Sequence, residues 1–166
     1  MIEIAVSKNG KRIYADLEVG HAATHFADDV HLLDLVREVV RAKELDSSEL
    51  KFEYVFDFIV GECDLQVVSE NDDIVYAIRR QRDRYTKFVK NKPRHQCSSV
   101  TIILKEAHDG DYELVSAWIG HLVPSFPKLN AAVDQDVLEK QYWATHALVW
   151  GRQAIDETTV TSVCPW

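Results

Sequence analysis

Alternating apolar and polar positions open the chain. Residues 2–7 and 12–19 alternate in this way on the two sides of Asn9-Gly10. An Asn-Gly pair tolerates positive φ, which the tight turn between two antiparallel strands requires. The pattern therefore predicts an N-terminal β-hairpin.

A different spacing follows. Within residues 22–43, apolar side chains recur at steps of three and four, at Phe26, Val30, Leu33, Val36 and Val40. This is the period of an amphipathic helix, so the pattern predicts one helix over the whole stretch.

The middle of the chain is typical of strands. After a polar break at residues 46–48, residues 50–68 predict one or two strands, interrupted at Gly61. Residues 74–78 predict a further strand. Residues 99–106 and 112–120 flank a loop that contains Asp109-Gly110, and this pair predicts an antiparallel hairpin.

The end of the chain returns to helical spacing. Pro124 and Pro127 predict a loop, and residues 135–149 predict a helix with Leu138, Trp143 and Leu148 facing inward. The last ten residues predict an extended or β tail. Helices before and after a set of antiparallel strands indicate an α+β fold, with an N-terminal hairpin and a C-terminal helix.

Composition narrows the class of protein. With 166 residues, 46% hydrophobic and 28% charged, the chain is predicted to form a single α+β domain over residues 1–166. The N-terminus does not have the pattern of a signal peptide, and no apolar run approaches the ~20 residues of a membrane span. The three cysteines form no Cys-x-x-Cys pair. A cytoplasmic protein without disulfides, metal or cofactor is the expectation.

Positive charge is concentrated in one segment. The net charge is −8, yet residues 79–94 carry +7, which leaves −15 on the remainder. The basic residues of this segment are Arg79, Arg80, Arg82, Arg84, Lys87, Lys90, Lys92 and Arg94. Such asymmetry indicates an anionic partner, and a solvated face balanced by acidic neighbours is the alternative.

Several motifs in order carry a resemblance to a known group. They are Tyr76-Ala77-x-Arg79-x-x-Arg82-x-x-Tyr85-x-x-Phe88-Val89-Lys90, the run 112–120, Pro124-Ser125-Phe126-Pro127 and Trp143-x-x-His146-Ala147-Leu148. Over about His21 to Leu148 the chain resembles a family of small, largely uncharacterised bacterial proteins. The order of a histidine-bearing helix, an arginine-bearing strand and a hydroxyl-bearing strand pair resembles the barnase, EndoU, colicin and RelE-like ribonucleases. That resemblance implies RNA as substrate.

Candidate acid–base residues lie at the start of the first predicted helix. RNA cleavage without a metal needs a base for the 2′-hydroxyl and an acid for the departing oxygen, and histidine suits both roles. His21 and His25 are one helical turn apart, so they are expected on one face. The same spacing is that of a metal half-site, and surface or structural histidines are the third alternative.

Candidate phosphate-binding residues follow the strand 74–78. Arg79 and Arg82 suit bidentate contact with phosphate, unless they pair with acidic neighbours. Thr101 and Ser116 are candidates to donate a hydroxyl from the strand pair, with strand packing as the alternative.

The rest of the cationic segment is assigned to RNA binding. Arg84, Lys87, Lys90, Lys92 and Arg94 are expected to contact the RNA backbone, with Tyr85 stacking on a base. Trp118 is a second candidate to stack on a base, but an aromatic residue in a strand is more often part of the core, and that interpretation is favoured for Trp118.

The sequence thus predicts a metal-independent ribonuclease-like protein that cleaves or binds RNA. The alternatives are a non-catalytic binder of RNA or of an acidic protein, and an acidic immunity-type partner of a basic toxin. No role is assigned to Cys63, Cys97, Cys164, His95 or His146.

Overall fold

The structure, a computed structural model, describes residues 1–166 and has the α+β fold that the sequence predicts. Its helices are α1 (His21–Asp28), α2 (Leu32–Ala42) and α3 (Val137–Ala144). Its strands are β1 (Ile2–Val6), β2 (Arg12–Ala15), β3 (Lys51–Val55), β4 (Gly61–Cys63), β5 (Leu65–Val67), β6 (Ile74–Ile78), β7 (Tyr85–Val89), β8 (His95–Cys97), β9 (Ser99–Glu106), β10 (Tyr112–Ile119) and β11 (His146–Val149). No helix is long and apolar enough to cross a membrane.

The chain divides into two compact units. The first unit contains residues 1–62 and 96–122, and the second contains residues 63–95 and 123–166. Each unit is therefore built from two separate stretches of chain. The single-domain organisation expected from the sequence stays a prediction.

A five-stranded sheet organises the first unit, in the order β1-β2-β10-β9-β3. The N-terminal hairpin is confirmed, with β1 antiparallel to β2. The predicted pairing of β9 with β10 is confirmed as antiparallel, while β2 runs parallel to β10. Helices α1 and α2 pack on this sheet. The core side chains between them include Ile13, Val36, Val39, Val40, Val100, Ile102 and Ala117, all with 0% exposure.

The long first helix that the sequence predicts is broken in two. Asp29 is extended, and its N–H closes α1 on the His25 carbonyl at 3.0 Å. Its side chain then accepts the His31 N–H at 3.0 Å, so it competes with the helical backbone. The prediction of one continuous helix over 22–43 is wrong here, and Val30 in the break is 77% exposed instead of buried.

A four-stranded sheet organises the second unit, in the order β5-β11-β7-β6. β6 and β7 form an antiparallel hairpin, and β6 has the bounds that the sequence predicts. β11 lies between β5 and β7, antiparallel to the first and parallel to the second. The expectation of one or two strands in residues 50–68 is wrong, because this stretch contains three strands, β3, β4 and β5, and Gly61 begins β4.

The C-terminal helix is shorter than predicted. α3 ends at Ala144, because residues 146–149 form a strand whose backbone groups bond to neighbours on both sides. Trp143 is fully buried as expected and stacks on Phe126 with ring centroids 3.9 Å apart. Leu138, expected to face inward, is 76% exposed.

Candidate functional site

The β6–β7 hairpin holds the start of the cationic segment in its turn. The Arg82 N–H donates to the Arg79 carbonyl at 3.1 Å and closes a tight turn. Gln81 has a φ of 63°, a left-handed conformation that is uncommon outside glycine. Residues 80–82 are exposed, whereas Arg79 is half-buried at the base of the turn.

Neutral partners hold the Arg79 guanidinium. Its Nε donates to Thr86 Oγ1 at 2.8 Å, and its Nη1 donates to Gln153 Oε1 at 2.9 Å. The Phe126 ring lies 5.8 Å from the guanidinium carbon. Burial lowers the pKa of Arg79 to about 10, and repulsion from Arg82 adds to the decrease. The group still carries its charge at neutral pH, with no carboxylate against it.

A shallow pocket of about 470 Å³ lies at this turn, lined by residues 78–82 and 155–158. Its acidic side chains are Asp156 and Glu157. The Asp156 carboxylate accepts the hydroxyl of Thr158 at 2.6 Å and its N–H at 3.0 Å. The two hydrogen bonds lower the pKa of Asp156, and the bond from the hydroxyl has the larger effect. The positive charge of the nearby Arg80 lowers this pKa further, but by less. The pocket thus contains charges of both signs.

The rest of the cationic segment is largely engaged by the fold. Lys87 is 6% exposed, and its Nζ donates to the Trp143 carbonyl at 2.6 Å. The same Nζ is 3.3 Å from the Ala144 carbonyl, and burial lowers the pKa of Lys87. Arg84 Nη1 donates to the Phe126 carbonyl at 2.8 Å.

The three remaining cations also have partners. Lys90 Nζ lies 5.3 Å from the centre of the Trp150 ring. Lys92 Nζ donates to the Val67 carbonyl at 2.7 Å, and Arg94 Nε donates to Asp64 Oδ1 at 2.6 Å. The segment expected to form one RNA-binding surface therefore presents its exposed arginines mainly in the turn.

The two candidate histidines contact each other on α1. The Nε2 atoms of His21 and His25 are 3.1 Å apart, as their four-residue spacing predicts. They belong to the first unit, whereas Arg79 and Arg82 belong to the second. Their joint action on one phosphate stays a prediction.

The candidate hydroxyls are inside the first unit. Thr101 has 0% exposure and donates to the Gly120 carbonyl at 2.9 Å. Ser116 is 3% exposed, and its Oγ has no hydrogen-bond partner. This burial favours the packing role that the sequence left as the alternative.

The candidate aromatics are half-buried. Tyr85 begins β7, opposite Ile78 in the β6–β7 pair. Trp118 lies in β10, and its Nε1 donates to the His121 carbonyl at 3.3 Å. Neither ring is fully in the core, and a stacking role for Tyr85 stays a prediction.

A hydrogen-bonded group around one carboxylate, which the sequence did not indicate, lies in the first unit. The Glu53 carboxylate accepts hydrogen bonds from the Ser99 hydroxyl at 2.9 Å and from the Leu122 N–H at 2.9 Å. Its third contact is with His121 Nδ1, at 3.1 Å. Burial alone raises the pKa of Glu53, but these hydrogen bonds outweigh burial and lower it. The members come from three distant parts of the sequence, so no local motif marks them.

A thiol–imidazole pair was also missed. Cys63 Sγ lies 3.1 Å from His95 Nε2, and both residues are in the second unit. The cysteine nearest to His95 in the sequence is Cys97, two positions away. The separation of 32 positions between the true partners removes any spacing signal.

Comparisons with known proteins add no assignment to this geometry: no protein-family model, no curated protein and no solved structure matches the chain. The class of protein is therefore defined by its α+β fold alone.

Proposed function

We propose that this protein binds RNA through the exposed arginines of the β6–β7 turn, Arg80 and Arg82. The observation that carries the proposal is the uncompensated charge at the base of this turn. Arg79 is bonded to a hydroxyl and an amide, not to a carboxylate, and it lies close enough to Arg82 for the two charges to repel.

Like charges held together favour an anion between or beside them, because the anion relieves their repulsion. None of the three arginines of the turn takes part in an ion pair of the structure. A guanidinium presents several N–H donors in a plane, which suits the oxygens of a phosphate. The turn supports phosphate binding for this reason.

The acidic residues of the pocket set a limit on the ligand. Asp156 and Glu157 repel a phosphate that enters the pocket deeply. The two hydrogen bonds from Thr158 engage one carboxylate oxygen of Asp156 but leave its negative charge in place. A ligand that contacts the exposed turn without entering the pocket limits this repulsion. An extended single strand fits this requirement, and the resemblance to ribonucleases makes RNA the expected polymer.

Binding of a fluorescent single-stranded RNA, followed by anisotropy, tests the proposal. We expect Arg80→Ala/Arg82→Ala to weaken binding by ~10-fold or more, since removing a charge-assisted hydrogen bond costs on the order of 1 kcal/mol. The slope of log affinity against log salt should become shallower by about 0.7 for each phosphate that the variant no longer neutralises.

Arg41→Ala/Lys51→Ala is the matched control, because it removes the same charge from exposed positions of the first unit. Equal affinity of the two double variants would show that the turn is not the binding surface. If the wild type fails to bind RNA but retains an acidic protein in a salt-sensitive manner, the proposal is replaced by the protein-binding alternative.

A further inference from the structure

The contact between Cys63 and His95 has a defined geometry within the second unit. Cys63 ends β4 and His95 begins β8. The thiol sulfur lies 3.1 Å from His95 Nε2 and 4.0 Å from Nδ1, so Nε2 is the ring atom that faces it. Cys63 is 3% exposed, whereas His95 is exposed to solvent.

Gln66 determines which ring nitrogen carries the proton. Its amide nitrogen donates to the Pro93 carbonyl at 2.8 Å. Because a carbonyl oxygen can only accept hydrogen bonds, this contact fixes the orientation of the amide. The same nitrogen is 2.9 Å from His95 Nδ1, which must therefore accept its second N–H. In neutral His95 the proton is then on Nε2, and that N–H is directed at the sulfur.

An N–H directed at sulfur favours the thiolate over the thiol, since the thiolate is the better acceptor. The thiolate is the nucleophilic form of cysteine, and the hydrogen bond that neutral His95 donates to the sulfur is what stabilises it here. The arrangement is a cysteine, a neutral histidine that donates an N–H to its sulfur, and an amide that fixes the tautomer of the histidine.

Burial restricts what can reach this sulfur. A peptide or another polymer cannot approach an atom of a residue that is 3% exposed. A molecule close to water in size, such as hydrogen peroxide, needs only a small opening. The oxidation of thiolates by peroxide depends on thiolate character, which the His95 contact supplies.

We propose that Cys63 is a site of oxidation by small hydroperoxides, with His95 as its activating partner and Gln66 as a positioning residue. The thiol releases its proton to solvent, and the thiolate attacks one peroxide oxygen. The S–O bond forms as the O–O bond breaks. The departing hydroxide takes up a proton and becomes water, so sulfur is oxidised by two electrons to sulfenic acid and the peroxide is reduced. This function is independent of RNA binding by the turn.

Cys97 is a control within the same chain. It is 4% exposed, close to the value for Cys63, but its sulfur contacts only backbone groups of Ser99. Burial is therefore matched, and the imidazole contact is the difference. Cys164 is exposed and is removed by Cys164→Ser so that it does not compete for oxidant.

The experiment treats the folded Cys164→Ser protein with hydrogen peroxide and quenches it with catalase. The protein is then unfolded in dimedone, which traps sulfenic acid, and each cysteine peptide is quantified by mass spectrometry. We expect Cys63 to be oxidised ~10-fold or more faster than Cys97. Between pH 6 and 9 its rate should change less than that of Cys97, because the His95 N–H stabilises the Cys63 thiolate and nothing equivalent contacts Cys97.

His95→Asn should reduce the rate at Cys63 to that at Cys97, whereas His108→Asn, at an exposed histidine of the first unit, should leave it unchanged. Gln66→Ala should reduce the rate less and make it more dependent on pH. Thermal melts check that each variant is folded. If a variant does not fold, the pH profiles of Cys63 and Cys97 in the Cys164→Ser protein, which retains His95, still test the proposal.

Equal rates and equal pH profiles at Cys63 and Cys97 would overturn the proposal. So would stoichiometric zinc in the purified protein that is absent from Cys63→Ser, because this result assigns the pair to metal ligation.

Discussion

Two neighbouring stretches of the cationic segment have opposite environments. Residues 80–82 extend into solvent in the β6–β7 turn, whereas Lys87, four positions beyond the turn residue Asp83, is buried in β7. Both belong to the same basic segment of the sequence, residues 79–94. The comparison shows that charge density along the chain identifies a surface only where the backbone leaves the sheet.

The difference follows from strand geometry. In β7 alternate side chains point to opposite faces of the sheet, and every position from Thr86 to Val89 is covered. Lys87 tolerates this burial because the last carbonyls of α3 have no helical partners and accept its N–H groups. The buried ammonium therefore stabilises the end of a helix, which is a role for a lysine near a helix C-terminus.

The largest expected effect concerns cleavage, and it would extend the role of the turn from binding to chemistry. If the protein cleaves RNA, His21→Ala or Arg82→Ala should lower the rate by about 10²–10⁴, the usual effect of losing an acid–base or charge-stabilising group. Cleavage of a fluorescent RNA, in the presence and absence of EDTA, measures this.

EDTA should have no effect, because the predicted chemistry uses protein groups. Full activity in both variants would remove His21 and Arg82 from the site. Inhibition by EDTA would favour the alternative in which His21 and His25 bind a metal. Absence of cleavage by the wild type would leave the turn as a binding surface.

The next largest effect concerns stability, and it compares the buried Lys87 with the exposed Arg82. Lys87→Met should lower the free energy of unfolding by ~2–3 kcal/mol, because it leaves the Trp143 and Ala144 carbonyls without their donor. Arg82→Ala, at the exposed turn, should change it by less than ~0.5 kcal/mol. Urea unfolding measures both. Equal decreases would mean that the turn is as important to the fold as the buried lysine.

The smallest effect concerns Glu53, a partly buried carboxylate of the first unit that hydrogen bonds hold as hydrogen bonds hold Lys87 in the second. Since the folded state lowers the pKa of Glu53, its ionised form stabilises the fold above the ordinary carboxyl range. This contribution disappears as pH falls through the lowered pKa. Glu53→Gln should flatten the dependence of stability on pH between about 5 and 3, by ~0.5–1 kcal/mol after allowance for solvent screening.

Urea unfolding at several pH values, with Glu44→Gln as the exposed control, measures this difference. A slope that Glu53→Gln leaves unchanged would show that other carboxylates cause the acid sensitivity.

The local part of the fold could be predicted from the sequence. The N-terminal hairpin, β6 and the β9–β10 pair follow from period-two alternation and from Asn-Gly or Asp-Gly turns, which act over a few residues. The helical period of residues 32–42 likewise encodes the buried face of α2. Periodicity also indicated a helix near Trp143 but not where that helix ends.

The tertiary structure decided what depends on distant neighbours. Residues 146–149 form a strand because β5 and β7 supply hydrogen-bond partners on both sides, and these partners override the helical spacing. Lys87 is held by carbonyls 56 and 57 positions away, and Cys63 meets His95 across 32 positions. A sequence pattern records which residues share a face of one element. It does not record which elements face each other, because that depends on the packing of the whole chain. The contacts of Lys87 and of Cys63 are formed between such distant elements.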